Sequence, residues 1–395
     1  MASFTPTKPI SYGRQTITDA DIAAVVEVLQ SDYLTQGPKP QEFETAFAQY
    51  IGSKYASVMS SGAAALHLCT LALGVQPGDK VITTPITFTA SANCVRYSGG
   101  EVVFSDIDES TYLLDIQKVR SLLENTPKAE RSAYKGVVPV DFAGLPVDMQ
   151  AWRELADEFG LWILEDACHA PGASFLDKQG AEHRAGDGSL ADVAIFSFHP
   201  VKHIATAEGG AVTTNRQDYH EKICRLRTHG ITREASMLQE NHGGWYYEMH
   251  ELGYNYRLTD VQAALGIEQL KRADAGLQRR RAIARRYEEA FTGTPVTVRP
   301  VPQGFHHAYH LFVIEVPKRL ELYNFLRERK IYAQVHYIPV HLQPYYRGFG
   351  WKQGDMPVAE RYYDHCLSLP MFPALTDEEQ EYVIAQVLGF VQGKI

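Results

Sequence analysis

Five cysteines in 395 residues are too few and too scattered for a disulfide framework. Cys69, Cys94, Cys168, Cys224 and Cys366 are odd in number and form no C-x-x-C pair, which fits a reduced, cytoplasmic compartment. No run approaches the roughly 20 apolar residues of a membrane helix, and the opening MASFTPTKPISYG lacks the apolar core of a secretory signal. Positive charge is also in deficit: 38 Lys and Arg face 47 Asp and Glu, a net charge of −9. A general nucleic-acid or membrane-surface binder depends on a basic face, so no nucleic acid or membrane partner is expected. A phosphorylated small ligand remains compatible, because it needs only local amides and one or two cations. The fingerprints of the commonest dinucleotide and P-loop sites are absent, since no G-x-G-x-x-G follows a strand and no G-x-x-x-x-G-K-[ST] occurs. There is no internal repeat and no low-complexity tract.

The sequence does contain enough apolar residues, 45%, to bury a large core. Its length predicts two domains. Between residues 20 and 215, short runs rich in Val, Ile and Phe read as buried strands: Ala56–Met59, Lys80–Thr84, Glu101–Ser105, Gly136–Val140, Leu161–Leu164, Val193–Phe198 and Ala211–Thr214. Helical patterns such as Ala63–Leu73 and Met149–Phe159 lie between them. This alternation predicts an α/β fold with a large, mostly parallel, doubly wound sheet over residues 1–258. After Leu258 the texture changes to a long helical stretch, Thr259–Tyr287, with Leu265 and Leu270 on its apolar side and Arg279–Arg281 on the other. Strand-like Tyr309–Val316, a helix near Arg319–Arg329 and strand-like Ile331–Tyr337 follow. A closing helix, Thr376–Phe390, opens with a capping box of Thr376 and Glu379. Residues 259–395 therefore read as a smaller α/β domain.

Ligands in such sheets sit beyond the carboxyl ends of the strands, which makes three segments candidates. Ser60-Ser61-Gly62-Ala63-Ala64 follows a strand and opens a helix, where free amides and a partial positive charge suit a phosphate, although tight packing alone also selects small residues. Leu161–His169 ends an apolar strand in Glu165-Asp166 followed by His169. A buried Asp kept ionised needs a strong donor, and a protonated pyridine nitrogen is one; capping the next turn is the plainer alternative. Asp192–Lys202 ends another strand at Ser197, with Lys202 five residues on and the small residues Ala205–Gly210 beyond. Most lysines are solvated surface groups, but a desolvated one has a lowered pKa and can form a Schiff base. His199 and His203 are spaced i, i+4, yet Pro200 between them argues against a helical metal pair.

In order and spacing these three segments resemble the DegT/DnrJ/EryC1/StrS sugar aminotransferase family of fold-type-I pyridoxal 5'-phosphate (PLP) enzymes, over almost the whole chain from Tyr12. Its most specific elements here are Glu165–Ala170, Phe196–Lys202, Glu208–Val212 and Gly253–Leu258. The resemblance implies that Lys202 holds PLP and moves the transferred proton, that Asp166 keeps the pyridine nitrogen protonated, and that His169 sits by the phenolic oxygen. Phe88 would stack on the ring. The amides of Gly62 and Ala63 with the Ser197 hydroxyl would hold the phosphate, completed by Asn255 from a neighbouring subunit, so a homodimer is implied. Tyr12, Asp32, Tyr33, Leu34, Thr35, Gln334, Val335, His336 and Tyr337 would line the nucleotide-sugar site. Leu34–Gly37, Ile82–Phe88 and Ala333–Tyr337 look like the pseudaminic-acid branch, which implies a UDP-linked 4-keto-6-deoxy-N-acetylhexosamine as acceptor and L-glutamate as donor. A relative with another nucleotide or C4 stereochemistry, and a non-catalytic sugar-nucleotide-binding regulator, are the alternatives. A related dehydratase branch has histidine where Lys202 stands. Where the family usually has threonine, this chain has Ala63, which removes one hydroxyl worth about 1 kcal/mol to the phosphate.

Overall fold

The structure, a computed structural model, describes residues 4–394; residues 1–3 and 395, the extremes of the two expected domains, lie outside it. Seven strands form the central sheet in the order Tyr55–Met59, Gly210–Thr214, Val193–Ser197, Trp162–Asp166, Tyr134–Val138, Lys80–Thr83 and Glu101–Phe104. All seven coincide with predicted runs to within two residues at each end. Every pairing is parallel except those of Gly210–Thr214, which runs antiparallel to both neighbours. The inner strands are buried on both faces, which is why they read as continuous apolar runs rather than alternating ones.

Helices follow the strands as predicted: Gly62–Ala72 is capped by Ser61, and Met149–Phe159 ends at Gly160 in the left-handed region, φ 69°. The expected long helix over Thr259–Tyr287 is instead two helices, Asp260–Leu270 and Ala273–Phe291, broken at Lys271 and Arg272. A second correction concerns its faces. Arg280 does not join Arg279 and Arg281 on a solvated side but is 1% exposed, because its guanidinium donates to three carbonyls that close over it. The strand-like Tyr309–Val316 and Ile331–Tyr337 shorten to Phe312–Glu315 and Ile331–Tyr332, leaving Tyr309–Leu311 and Ala333–Tyr337 as loops. Ile331–Tyr332 pairs in parallel with Ile10–Ser11, which ties the N-terminal segment to this part of the chain. The closing helix, Asp377–Val391, has the predicted capping box of Thr376 and Glu379.

Candidate active site

Asp166, Ser197 and Lys202 all follow from neighbouring parallel strands, so the sheet delivers them to one edge. Asp166 is 5% exposed. Its carboxylate accepts the Ser91 hydroxyl at 2.6 Å and the Cys168 amide at 3.2 Å, and no Lys or Arg among the described residues forms a salt bridge with it. Both partners are neutral donors, which leaves this buried carboxylate room for a cationic one.

Lys202 is part-buried, and its amine lies 3.4 Å from Nε2 of His310. Desolvation, helped by the charge of Arg280, holds its ammonium below the usual lysine range despite the opposing pull of Cys168 and Asp166. Three further histidines close the chamber, and burial pushes each of them down in pKa. His169 and His310 pack at a tilt, 4.2 Å between ring centroids, and both lie well below the ordinary histidine range, burial first and the Lys202 charge second. His203 is lowered by burial and then by Arg280. His336 is pushed down to about 3.

The tautomer of His169 follows from its partners. Nδ1 accepts the amide of Ala143 at 3.2 Å, so the proton sits on Nε2, which donates to the Tyr337 hydroxyl 3.3 Å away. Ala143 reaches this position with a left-handed backbone, φ 60°, in the turn Phe142–Gly144. The same turn accepts the Leu311 amide at Ala143 and the Ala308 amide at Gly144, and so fixes the loop that carries His310. Beneath Asp166, Glu165 and Asp141 lie together, fully buried; burial raises both, helped at Glu165 by the Asp141 charge and at Asp141 by the Asp166 charge.

At the start of the helix Gly62–Ala72, the Ser61 hydroxyl accepts only the Ala64 amide, and among the described residues no acceptor meets the Gly62 and Ala63 amides. The cradle is tight. A Cβ on Gly62 would stand 3.0 Å from Cβ of Ser197, and one on Gly210 would stand 2.6 Å from the Gly62 nitrogen. Such a nest of free amides beside a hydroxyl suits a phosphate.

The outer residues are arranged differently. Tyr12 and His336 pack ring to ring at 4.9 Å, and Phe88 lies 6.3 Å from Tyr337. Val335 is half-buried, while Gln334 is exposed with its side chain turned back to the Val335 amide. Phe88 is 62% exposed. Asp32, Tyr33, Leu34 and Thr35 are exposed too, and no hydrogen bond or ring contact joins them to the Lys202 cluster. They are held from behind: buried Asp260 accepts the amides of Gly37 at 2.9 Å and Lys39 at 3.0 Å, and its own amide donates to Leu34. Asn255 is exposed, on a segment whose Tyr256 carbonyl accepts the Ser60 amide. Reading the sequence missed His310, Arg280, Ser91, Asp141 and Asp260. His310 had one signal, a polar residue set before the apolar run Leu311–Ile314.

Residues 15–388 match the DegT/DnrJ/EryC1/StrS aminotransferase family. The chain belongs to that family. It is 40% identical over 393 residues to the spore coat polysaccharide biosynthesis protein SpsC of Bacillus subtilis, covering 97% of each. Among solved structures it is similar to Helicobacter pylori PseC, an aminotransferase of pseudoaminic acid biosynthesis, with a TM-score of 0.86, 31% identity and 98% and 100% of the two chains covered. A putative sugar aminotransferase of Streptococcus pneumoniae in its PLP form gives a TM-score of 0.87 at 28% identity, covering 98% of this chain and 100% of the other. The fold is thus that of fold-type-I PLP enzymes, and PLP is the cofactor of this aminotransferase family. The site fits it: among the described residues Asp166 has no salt-bridge partner, the Gly62 and Ala63 amides lack an acceptor, and the Lys202 amine has a neutral histidine as its hydrogen-bond partner. No helix among the described residues is long and apolar enough to cross a membrane.

Proposed function

We propose that the enzyme moves the amino group of L-glutamate onto the 4-ketone of a UDP-linked 4-keto-6-deoxy-N-acetylhexosamine, in a ping-pong reaction carried out by a homodimer. The observation that carries the reading is the desolvated Lys202 amine set 3.4 Å from a histidine that burial keeps neutral. An amine with a lowered pKa is unprotonated often enough to act as nucleophile and then as base. When bound, PLP supplies an electron sink for the charge that develops at the donor α-carbon.

The residues divide the work. Lys202 holds the cofactor and afterwards carries the proton off the donor α-carbon. Asp166 keeps the ring nitrogen protonated, with Ser91 and Cys168 fixing its carboxylate. The amides of Gly62 and Ala63 and the Ser197 hydroxyl bind the phosphate, and Phe88 covers the ring. His169, neutral and oriented by Ala143 and Tyr337, donates or accepts without adding charge. Tyr12, Asp32, Tyr33, Leu34, Thr35, Gln334, Val335, His336 and Tyr337 receive the nucleotide sugar. Asn255 of a second copy completes the phosphate site; large apolar groups left in water at Phe88, Met249 and Leu252 support such a pairing.

Incubating the glutamate-treated enzyme with a panel of nucleotide-linked 4-keto sugars, with mass spectrometry and NMR of the products, tests this. A 4-amino product from the UDP-N-acetyl sugar is expected, and aminated product from a different nucleotide sugar alone would replace the substrate assignment. A second reading, another nucleotide or C4 stereochemistry, stays beside it, because identity to a spore coat polysaccharide biosynthesis protein, 40%, exceeds that to PseC, 31%. Failure to turn glutamate into 2-oxoglutarate would instead favour a sugar-nucleotide-binding regulator.

A further inference from the structure

Beside Lys202 lies a cleft of about 330 Å³ between Arg14–Thr16, the helix break at Arg272 and Pro373–Ala374. Six of its lining residues carry or can carry positive charge: Arg14, Lys202, His203, Arg272, Arg279 and Arg280. None carries a negative one. Two of the arginines are neutralised from outside, Arg272 by Asp21 and Arg279 by Asp377 at 2.8 Å. The other two are not. Arg280, 1% exposed, is bound by the carbonyls of Tyr309, His310 and Met371 at 3.1, 3.3 and 2.9 Å and by no carboxylate. Arg14 lies 5.0 Å from the Phe372 ring and has no carboxylate partner among the described residues. Nε2 of His203 is buried with no hydrogen-bond partner among the described residues.

A buried charge without a counter-charge is costly, and fixed cations lining a concave wall raise the local concentration of anions. Guanidinium groups match carboxylates through paired N–H donors. We propose that this cleft is a carboxylate site, and that it receives the distal carboxylate of the amino donor, selecting an acidic amino acid over a neutral one. The assignment rests on the transamination reading above. The cleft shares Lys202 with the chamber, so a donor whose α-carbon is at the lysine has this wall within its reach, whereas alanine has nothing to place there. Arg14, exposed and free of a carboxylate partner, supplies the charge at the mouth; Arg280 supplies it at the floor.

Succinate is the probe. Its binding is measured by calorimetry on the PLP-loaded and PLP-free protein, for wild type, Arg14→Gln and Ala275→Glu. Ala275 lines the cleft on an exposed helix position, so its glutamate plugs the site with a carboxylate without entering the core. Loss of one charge-assisted contact should weaken succinate about tenfold in Arg14→Gln, and Ala275→Glu should abolish binding. In Arg14→Gln the kcat/KM of the glutamate half-reaction, followed by the cofactor's visible absorbance, should fall about tenfold more than that of alanine. Succinate binding equal to wild type in both variants overturns the site. Binding that depends on Arg14 beside a glutamate half-reaction that does not would place a free dicarboxylate there and overturn the donor assignment. If wild type consumes no glutamate yet binds succinate through Arg14, the transamination reading falls and the carboxylate site stands.

Discussion

Around Lys202 the side chains of Asp166, His169, His310 and His336 are buried, each hydrogen-bonded within the same chain, His336 to the Ser368 hydroxyl at 2.9 Å. Around Asp32–Thr35, Phe88 and Asn255 the side chains stand in water, and only the backbone is held, through Asp260 and Tyr256. Both regions were assigned to one active site from the sequence, yet one is finished by the fold and the other is not. A chamber that must depress pKa values has to exclude water before any ligand arrives, so the chain pre-organises it. A rim that admits and releases a large substrate has to stay open, so its affinity comes from what docks there.

Removing the chamber's lysine should give the largest effect. Lys202→Ala is expected to lower the donor half-reaction by about 10²–10⁴-fold, the worth of a positioned proton carrier, and to abolish the visible absorbance of the lysine-held cofactor. A retained lysine-type band would show that the anchor lies elsewhere. Thermal stability should hold or rise, because truncation removes a part-buried amine that burial already disfavours in its charged form.

The chamber should also fail in acid. His169, His203, His310 and His336 all have folded pKa values below the unfolded one, chiefly through burial. Their contribution is therefore complete above the unfolded value near 6.5 and is lost as pH falls below it, by up to about 1.4 kcal/mol per histidine per pH unit. The Asp141–Glu165 pair pulls the other way, since raised carboxyls take up protons more readily when folded. Four histidines against two carboxyls leave a net loss. Denaturant titrations from pH 7 to 5 should show stability falling steeply below 6.5, with a shallower slope in His310→Gln; a flat profile would mean that the histidines are solvated.

The strands and the residues just beyond them were legible because burial on both faces produces uninterrupted Val, Ile and Phe runs, and ligands gather at their ends. Lys202, Asp166 and Ser197 stand there. Arg280 was misplaced because amphipathic patterning assigns every arginine to solvent, and nothing in the sequence shows the three carbonyls that converge on it. His310 and Asp260 were missed for the same reason: each acts across more than 100 residues of sequence, on Lys202 and on Gly37. The Thr259–Tyr287 helix read as continuous because its break, at Lys271 and Arg272, contains neither glycine nor proline.

Asp260→Ala should separate the two regions at intermediate size. It strips the acceptor from the amides of Gly37 and Lys39, at about 1–3 kcal/mol for each buried donor left unpaired. Global stability should fall by about that amount, and the KM for the nucleotide sugar should rise as the Tyr33–Thr35 backbone loosens. The absorbance of the bound cofactor should survive, since no hydrogen bond joins Asp260 to the chamber. Equal damage to cofactor binding and sugar KM would erase the distinction between chamber and rim.

The smallest effect should come from Tyr33→Ser, and it bears most directly on the comparison. Tyr33 is 56% exposed, and a surface substitution away from caps and cores shifts stability by no more than about 0.5 kcal/mol. Its side chain rests against Gly37 and its hydroxyl makes no hydrogen bond among the described residues, so its larger role is in what it meets later. The expectation is a split: the glutamate half-reaction keeps its rate, while the KM of the sugar half-reaction rises. A loss of more than about 2 kcal/mol in stability, with the sugar KM unmoved, would mean that the ring is covered in the assembled protein. The rim would then be an interface between copies, and its openness a property of one chain rather than of the working enzyme.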